Sequence, residues 1–218
     1  MIRKAASRPN RYAVLTADIV GSRNIAEFRR RRDQKLTPVS KAHIKEKLVV
    51  SPYAVTAWDE FQTIISKPAH APTVILDLRR YFHPMKLWIG IGIGEVSEPY
   101  KRPVNVFSGG AAFERARKAM DFLKGKSNRQ RSTFIVSDVE LFDAVANTLY
   151  YLHDTLIKGI SSKQWHTINI RLQTRSQEHA ARKLLLDEST VSRSLKRGFY
   201  WQIKETKEAM QRLINAYF

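Results

Sequence analysis

The 218-residue sequence contains no cysteine. That excludes disulfides, thiolate-held metals and a cysteine nucleophile, and it fits a reducing cytoplasm. Histidine is sparse: His43, His70, His83, His153, His166 and His179 have no close ligand spacing, which argues against histidine-held zinc. Long apolar runs are missing as well. The first, Tyr12 to Val20, is interrupted by Asp18, so neither a signal peptide nor a spanning segment is expected, and the protein is read as cytoplasmic with no membrane partner. Internal repeats and low-complexity tracts are absent too. The largest deficit is of acid: 20 Asp and Glu stand against 38 Lys and Arg, a net charge of +18. Such an excess points to a polyanionic partner, most often nucleic acid. It is spread along the chain, because residues 161–218 carry 11 basic against 5 acidic side chains and residues 1–160 carry 27 against 15. A hydrophobic content of 43% is enough for a real core.

What is present is most specific near the carboxyl end. Residues 177–197 read as two short helices, Gln177 to Leu184 and about Ser189 to Arg197, joined by a turn from Leu185 to Glu188. Ala181 is small enough for a close helix crossing. Val191 and Leu195, four apart, share one face and can pack on Leu184. Ser189, Thr190, Ser192, Arg193 and Lys196 then face outward. Short polar groups with cations suit base edges and phosphates in a major groove, the pattern of a helix-turn-helix. On that reading Ser189, Thr190, Ser192 and Arg193 read bases, and Arg182, Lys196 and Arg197 hold phosphates. A plain helical hairpin shares the small crossing residue and the amphipathic second helix. Leu185 also stands where such turns usually carry glycine for a left-handed backbone.

Upstream, the pattern reads strand Tyr12–Val20 and a helix capped by Ser22. Pro38 closes that region, and a second helix runs from Ser40 to Lys47. A hairpin follows around Ala57-Trp58-Asp59, then a helix over Ala71–Phe82 and a strand over Leu87–Val96. Glycines 90, 92 and 94 alternate along that strand and leave room for a helix or ligand. A helix opens at Gly109-Gly110, a basic loop runs from Lys124 to Arg131, and strand Thr133–Val136 leads to a long helix ending at Gly159. Ser137 and Glu140 are spaced as a capping box for it. The fold class is α+β: a mixed sheet with helices on one face over residues 1–159, then a small all-α domain over 160–218. Trp165, Phe199, Tyr200 and Trp201 are assigned to the small domain's core. The last helix either closes that core or pairs with its copy in a homodimer. Four successive arginines, Arg29 to Arg32, cover every side of a helix, so either one of them lies along a buried edge or the helix ends there.

Asp18 ends the first strand, and Asp59 with Glu60 marks the hairpin. Carboxylates there suit Mg²⁺ bridging nucleotide phosphates, with Gly21 and Ser22 offering backbone N–H groups at a helix start. A strand end and a solvated turn explain the same residues without a ligand.

Four motifs in order, Tyr-Ala-Val-Leu-Thr-Ala-Asp-Ile-Val-Gly-Ser-Arg (12–23), Asp-Glu-Phe-Gln (59–62), Ile-Gly-Ile-Gly-Ile-Gly-Glu (89–95) and Ser-Gly-Gly-Ala-Ala-Phe-Glu-Arg-Ala-Arg (108–117), resemble the bacterial SatD family. The amino-terminal part of that family is in turn similar to the ferredoxin-like palm of class III nucleotide and diguanylate cyclases, and its carboxy-terminal helices resemble region 4 of sigma factors. The resemblance implies a nucleotide-cyclase-like palm with Asp18 and Asp59 as metal-binding acids and Arg117 at the nucleotide, followed by a helix-turn-helix domain. Two departures bear on activity. Trp58 replaces the glycine that precedes the hairpin acid, and the helix after the glycine pair lacks the cyclases' asparagine. The expectation is therefore a DNA-binding transcription regulator whose palm senses a nucleotide, with Mg²⁺ as its cofactor. The alternative is a Mg-dependent nucleotidyl cyclase or polymerase-like enzyme using Asp18 and Asp59. A third reading gives the helix pair to protein contacts.

Overall fold

The computed structural model describes residues 11–98, 109–128 and 130–218. Ser108 of the glycine-pair motif and Arg129 of the basic loop lie outside the described residues. The fold is α+β. Five strands, β1 (Tyr12–Ile19), β2 (Ala54–Val55), β3 (Glu60–Ile65), β4 (Leu87–Gly94) and β5 (Thr133–Val136), form one mixed sheet in the order β2-β3-β1-β4-β5. Among the described residues the β4–β5 pair alone is parallel. Eight α-helices accompany it among the described residues: α1 (Phe28–Lys45), α2 (Ala71–Phe82), α3 (Ala111–Lys124), α4 (Glu140–Lys158), α5 (Ser162–Leu172), α6 (Gln177–Leu184), α7 (Glu188–Arg197) and α8 (Tyr200–Tyr217). None of the helices is long and apolar enough to cross a membrane, the described residues alone being considered.

Helices cover both faces of the sheet, not one as the sequence reading expects. The reason lies in β1, where every residue is buried. Ala13, Leu15, Ala17 and Ile19 join the cluster that holds core residues of α1, α2 and α4, while Tyr12 and Val14 join Ala112 and Ala116 of α3. A strand buried on both faces reads as a continuous apolar run rather than an alternation. The alternate glycines of β4 let α3 sit against the sheet: a Cβ on Gly92 would meet the Ala112 carbonyl oxygen at 2.0 Å.

Three local expectations are corrected. Pro38 does not end a helix but lies inside α1. A proline there sacrifices one backbone hydrogen bond, yet Phe28, Arg32, Leu36, Val39 and His43 form a buried stripe on both sides of it and hold the helix to the core. Ser22 begins a three-residue 3-10 turn, with α1 starting only at Phe28. Ser137 does not cap α4; its hydroxyl and N–H both go to Asp143, at 2.7 and 2.9 Å. A capping box does form one helix later, between Ser161 and Gln164 at the start of α5.

The carboxy-terminal helices make their own cluster from Trp165, Ile168, Ala180, Ala181, Val191, Leu195, Tyr200 and Ile203, which also takes in Leu76 of α2. Among the aromatics assigned to that core, Trp165 and Tyr200 are buried, whereas Trp201 is exposed. Helix α8 ties this cluster to the sheet. Its first half carries Tyr200 and Ile203, and its second half sends Met210 and Ile214 into the main core.

Candidate functional site

Three carboxylates gather at one end of the sheet. The antiparallel register sets Asp18 of β1 opposite Glu60 of β3, and side chains of paired residues share a face. The Ile19 amide donates to the Asp59 carbonyl at 3.0 Å, which fastens the hairpin to the end of β1. Asp18 and Glu60 are buried. Burial raises the Asp18 pKa above its ordinary value; Lys124 opposes the rise, and the charges of Asp59 and Glu60 add to it.

The cations that face this cluster come from α3. Lys124, the last residue of that helix, places its Nζ 2.6 Å from Asp18 and 3.5 Å from Glu60. Burial works to lower the Lys124 pKa, but the hydrogen bond and charge of Asp18, with Glu60, hold it above the usual lysine value. Arg117 reaches Glu60 from the same helix at 3.3 and 3.4 Å. The third acid, Asp59, accepts from the Ser22 hydroxyl at 2.6 Å. Among the described residues no group of three or more His, Asp or Glu side chains is arranged to hold a metal ion, and the ammonium of Lys124 sits on Asp18 where a cation would bind.

Ser22 and Asp59 also open onto a groove of about 960 Å³ lined by Arg23, Arg29, Arg30, Phe28 and Trp58. Trp58 is 49% exposed. It stacks on Phe28 with centroids 5.6 Å apart, and Arg29 lies 4.5 Å above its ring. Arg32 is the arginine of the four that is buried, and its guanidinium donates to the Trp58 carbonyl at 2.7 Å. The groove therefore combines an aromatic face with three exposed arginines. The stacking explains how a tryptophan is accommodated at a hairpin position where glycine is the resemblance's expectation. Gly21 adopts φ +73 with open space around it. Its partner Ser22 is buried, with its hydroxyl committed to Asp59.

At the other end of the chain, α6 and α7 meet through a turn of Leu185, Leu186 and Asp187. Ala180, Ala181, Val191 and Leu195 are buried at the crossing. Leu185 adopts φ +54 and is 92% exposed, so its side chain gives no packing in return for a left-handed backbone. Ser189, Arg193, Lys196 and Arg197 are exposed, and Thr190 and Ser192 are half-buried. Arg193 donates to the Thr190 hydroxyl at 3.3 Å. Arg182 is paired with Glu178 one turn back on α6. The structure sets Asp59 beside the end of β1 that carries Asp18, pairs Arg117 with Glu60, and places on Asp18 a Lys124 that the sequence reading assigned to a loop. The signal was available only weakly, as a basic residue at the end of a helix that follows a glycine-lined strand.

Comparison with curated proteins finds no match. The SatD family model matches residues 12–213, nearly the whole sequence, and the protein belongs to the SatD family.

Proposed function

We propose that this protein is a DNA-binding regulator in which α6 and α7 form a helix-turn-helix and a cyclase-like palm senses a nucleotide without turning it over. One observation carries the reading. Helix α7 is anchored by Val191 and Leu195, while Arg193, Lys196 and Arg197 face solvent with no ion pair among the described residues. Cations left uncompensated on a rigid helix are what phosphate contacts need. Ser189, Thr190, Ser192 and Arg193 read bases, and Arg182, Lys196 and Arg197 hold the backbone. Helix-turn-helix proteins commonly bind as dimers on paired half-sites, so a homodimer is part of the proposal. It would not use α8, which is committed to the two cores.

The test is fluorescence polarisation with random-sequence duplex across a salt series. Micromolar binding is expected, falling steeply with salt, with Lys196→Ala lowering the magnitude of the log–log slope by about 1 and Arg193→Ala weakening binding further. Absence of binding at low salt would overturn the reading and leave the helix pair to protein contacts.

The palm reading draws support from the strand order and from Asp18, Asp59 and Glu60 at one sheet end, beside the arginine-lined groove. Arg117, Gly21 and Ser22 border the same acids. A nucleotide there would set phosphates against Arg117 and the groove's arginines and stack its base on Trp58. The seat of Lys124 on Asp18 favours sensing over catalysis.

The second reading, a Mg-dependent nucleotidyl cyclase or polymerase-like enzyme, rests on the crowding of like charges around Asp18. A divalent cation held by Asp18 and Asp59 would relieve that crowding and neutralise phosphate charge. It fits only when Lys124 withdraws. Calorimetric titration with Mg²⁺ separates the two. Under the sensing reading the wild-type protein takes up little Mg²⁺, and Lys124→Met tightens binding on the order of tenfold, a gain of about 1.4 kcal/mol. Tight Mg²⁺ uptake by the wild type itself would favour the enzyme.

A further inference from the structure

A second cavity, of about 410 Å³, opens where β1 exits the sheet and β4 and β5 begin, between α2, the end of α4 and the start of α5. It is lined by residues of both the sheet region and the carboxy-terminal helices and is separate from the Asp59 groove, with which it shares no lining residue. Among the described residues four cations line it, Arg79, Lys86, Arg131 and Lys158, against one carboxylate, Asp154. That carboxylate is already engaged by Arg79 at 2.8 Å and by the amides of Ser132 and Thr133 at 2.8 and 2.7 Å. Arg131 donates to the Asn147 carbonyl, and Lys86 and Lys158 have no ion pair among the described residues. The Nε of Arg79 is buried without a hydrogen-bond partner, on a side chain only 9% exposed. Buried polar groups are almost always satisfied, so this guanidinium, already tied to Asp154, keeps unspent donor capacity behind the cavity wall. The remaining wall has an apolar side, with Leu87, Ile157 and Trp165, and a polar one, with His83, Gln130 and Ser132.

We infer that this cavity binds a small organic anion: one carboxylate or phosphate group on a flat, apolar ring. Its size falls within the range of small-molecule sites, about 300–1,000 Å³. A bare inorganic anion would leave the apolar side of the wall wet. The anionic group meets Lys86 and Lys158 in the field of the Arg79 guanidinium, and the ring lies against Ile157 and Trp165. Because Trp165 opens α5 and Arg79 belongs to α2, the ligand fastens the carboxy-terminal helices to the sheet.

The test uses the full-length protein with two probes, adenosine 5′-monophosphate and indole-3-acetate, and inorganic phosphate as the ring-free control. Thermal shift and tryptophan emission are both read, since Trp88 and Trp165 line the cavity. At least one probe is expected to raise the melting temperature and perturb emission, and the preferred one tells phosphate from carboxylate. Lys86→Glu with Lys158→Glu, both exposed and unpaired among the described residues, is expected to weaken that probe by tenfold or more, an effect of about 1.4 kcal/mol or greater. The inference is overturned if neither probe binds, if inorganic phosphate binds as well as either probe, or if the lysine double variant binds like the wild type. Loss of binding in Arg117→Ala alone would assign the probe to the carboxylate end of the sheet. That outcome would support the nucleotide-sensing reading while removing this one.

Discussion

Replacing Asp154 with alanine is expected to destabilise the protein by about 3–5 kcal/mol, the usual consequence of stranding a buried charge. Asp154 is 0% exposed. Its carboxylate receives the Arg79 guanidinium at 2.8 Å, the backbone N–H groups of Ser132 and Thr133, and the Thr133 hydroxyl at 3.1 Å. Alanine would leave the guanidinium buried without its counter-charge and two amides at the start of β5 without acceptors, and each such orphan is costly by itself. Strand β5 has four residues and, among the described residues, pairs with β4 alone, so fraying should begin there. Urea unfolding of the variant measures the loss. Arg79→Met combined with Asp154→Leu should be less damaging than Asp154→Ala, because it removes both charges together. A loss below about 1 kcal/mol, the size of an ordinary substitution, would refute the assignment of Asp154 as the organiser of this edge.

Gly92→Ala is expected to cost about 3 kcal/mol or more, at the upper end of overpacking effects. The added Cβ would stand 2.0 Å from the Ala112 carbonyl oxygen and 2.3 Å from the Ala116 amide nitrogen. Both are backbone atoms of α3, so no rotamer change relieves the clash and the helix itself must retreat. Helix α3 also carries Arg117 and Lys124, so the retreat would loosen their pairs with Glu60 and Asp18. Gly159→Ala is the matched control. Nothing lies within 4 Å of the Cβ it would add and its φ is −88, so its effect should stay within about 0.5 kcal/mol. Equal thermal unfolding of the two variants would show that α3 does not depend on the glycine face of β4.

Much of the framework is legible in the chain. Helix α2 and strand β5 fall on the residues that their patterns indicate, and the pair α6–α7 follows from Ala181, Val191 and Leu195. The alternate glycines of β4 announce a close neighbour, though not whether it is a helix or a ligand. Pro38 misleads because the rule against proline within helices is local, and the buried stripe that overrides it belongs to the tertiary structure. Ser137 misleads in the same way: the spacing of a capping box is present, but Asp143 competes for the serine.

The sequence by itself determines the charge excess, the apolar run of β1, the amphipathic faces of the helices and the placement of acids at strand ends. These are properties of composition or of residues two to four apart, which the backbone's own periodicity brings together. Only the tertiary structure decides which distant groups meet. Lys124 reaches Asp18 because β1 lies beside β4 and α3 returns across both strands. Arg32 holds a carbonyl 26 residues away, and Arg79 finds Asp154 at a separation of 75. Strand order and register set those encounters, and no local pattern encodes them.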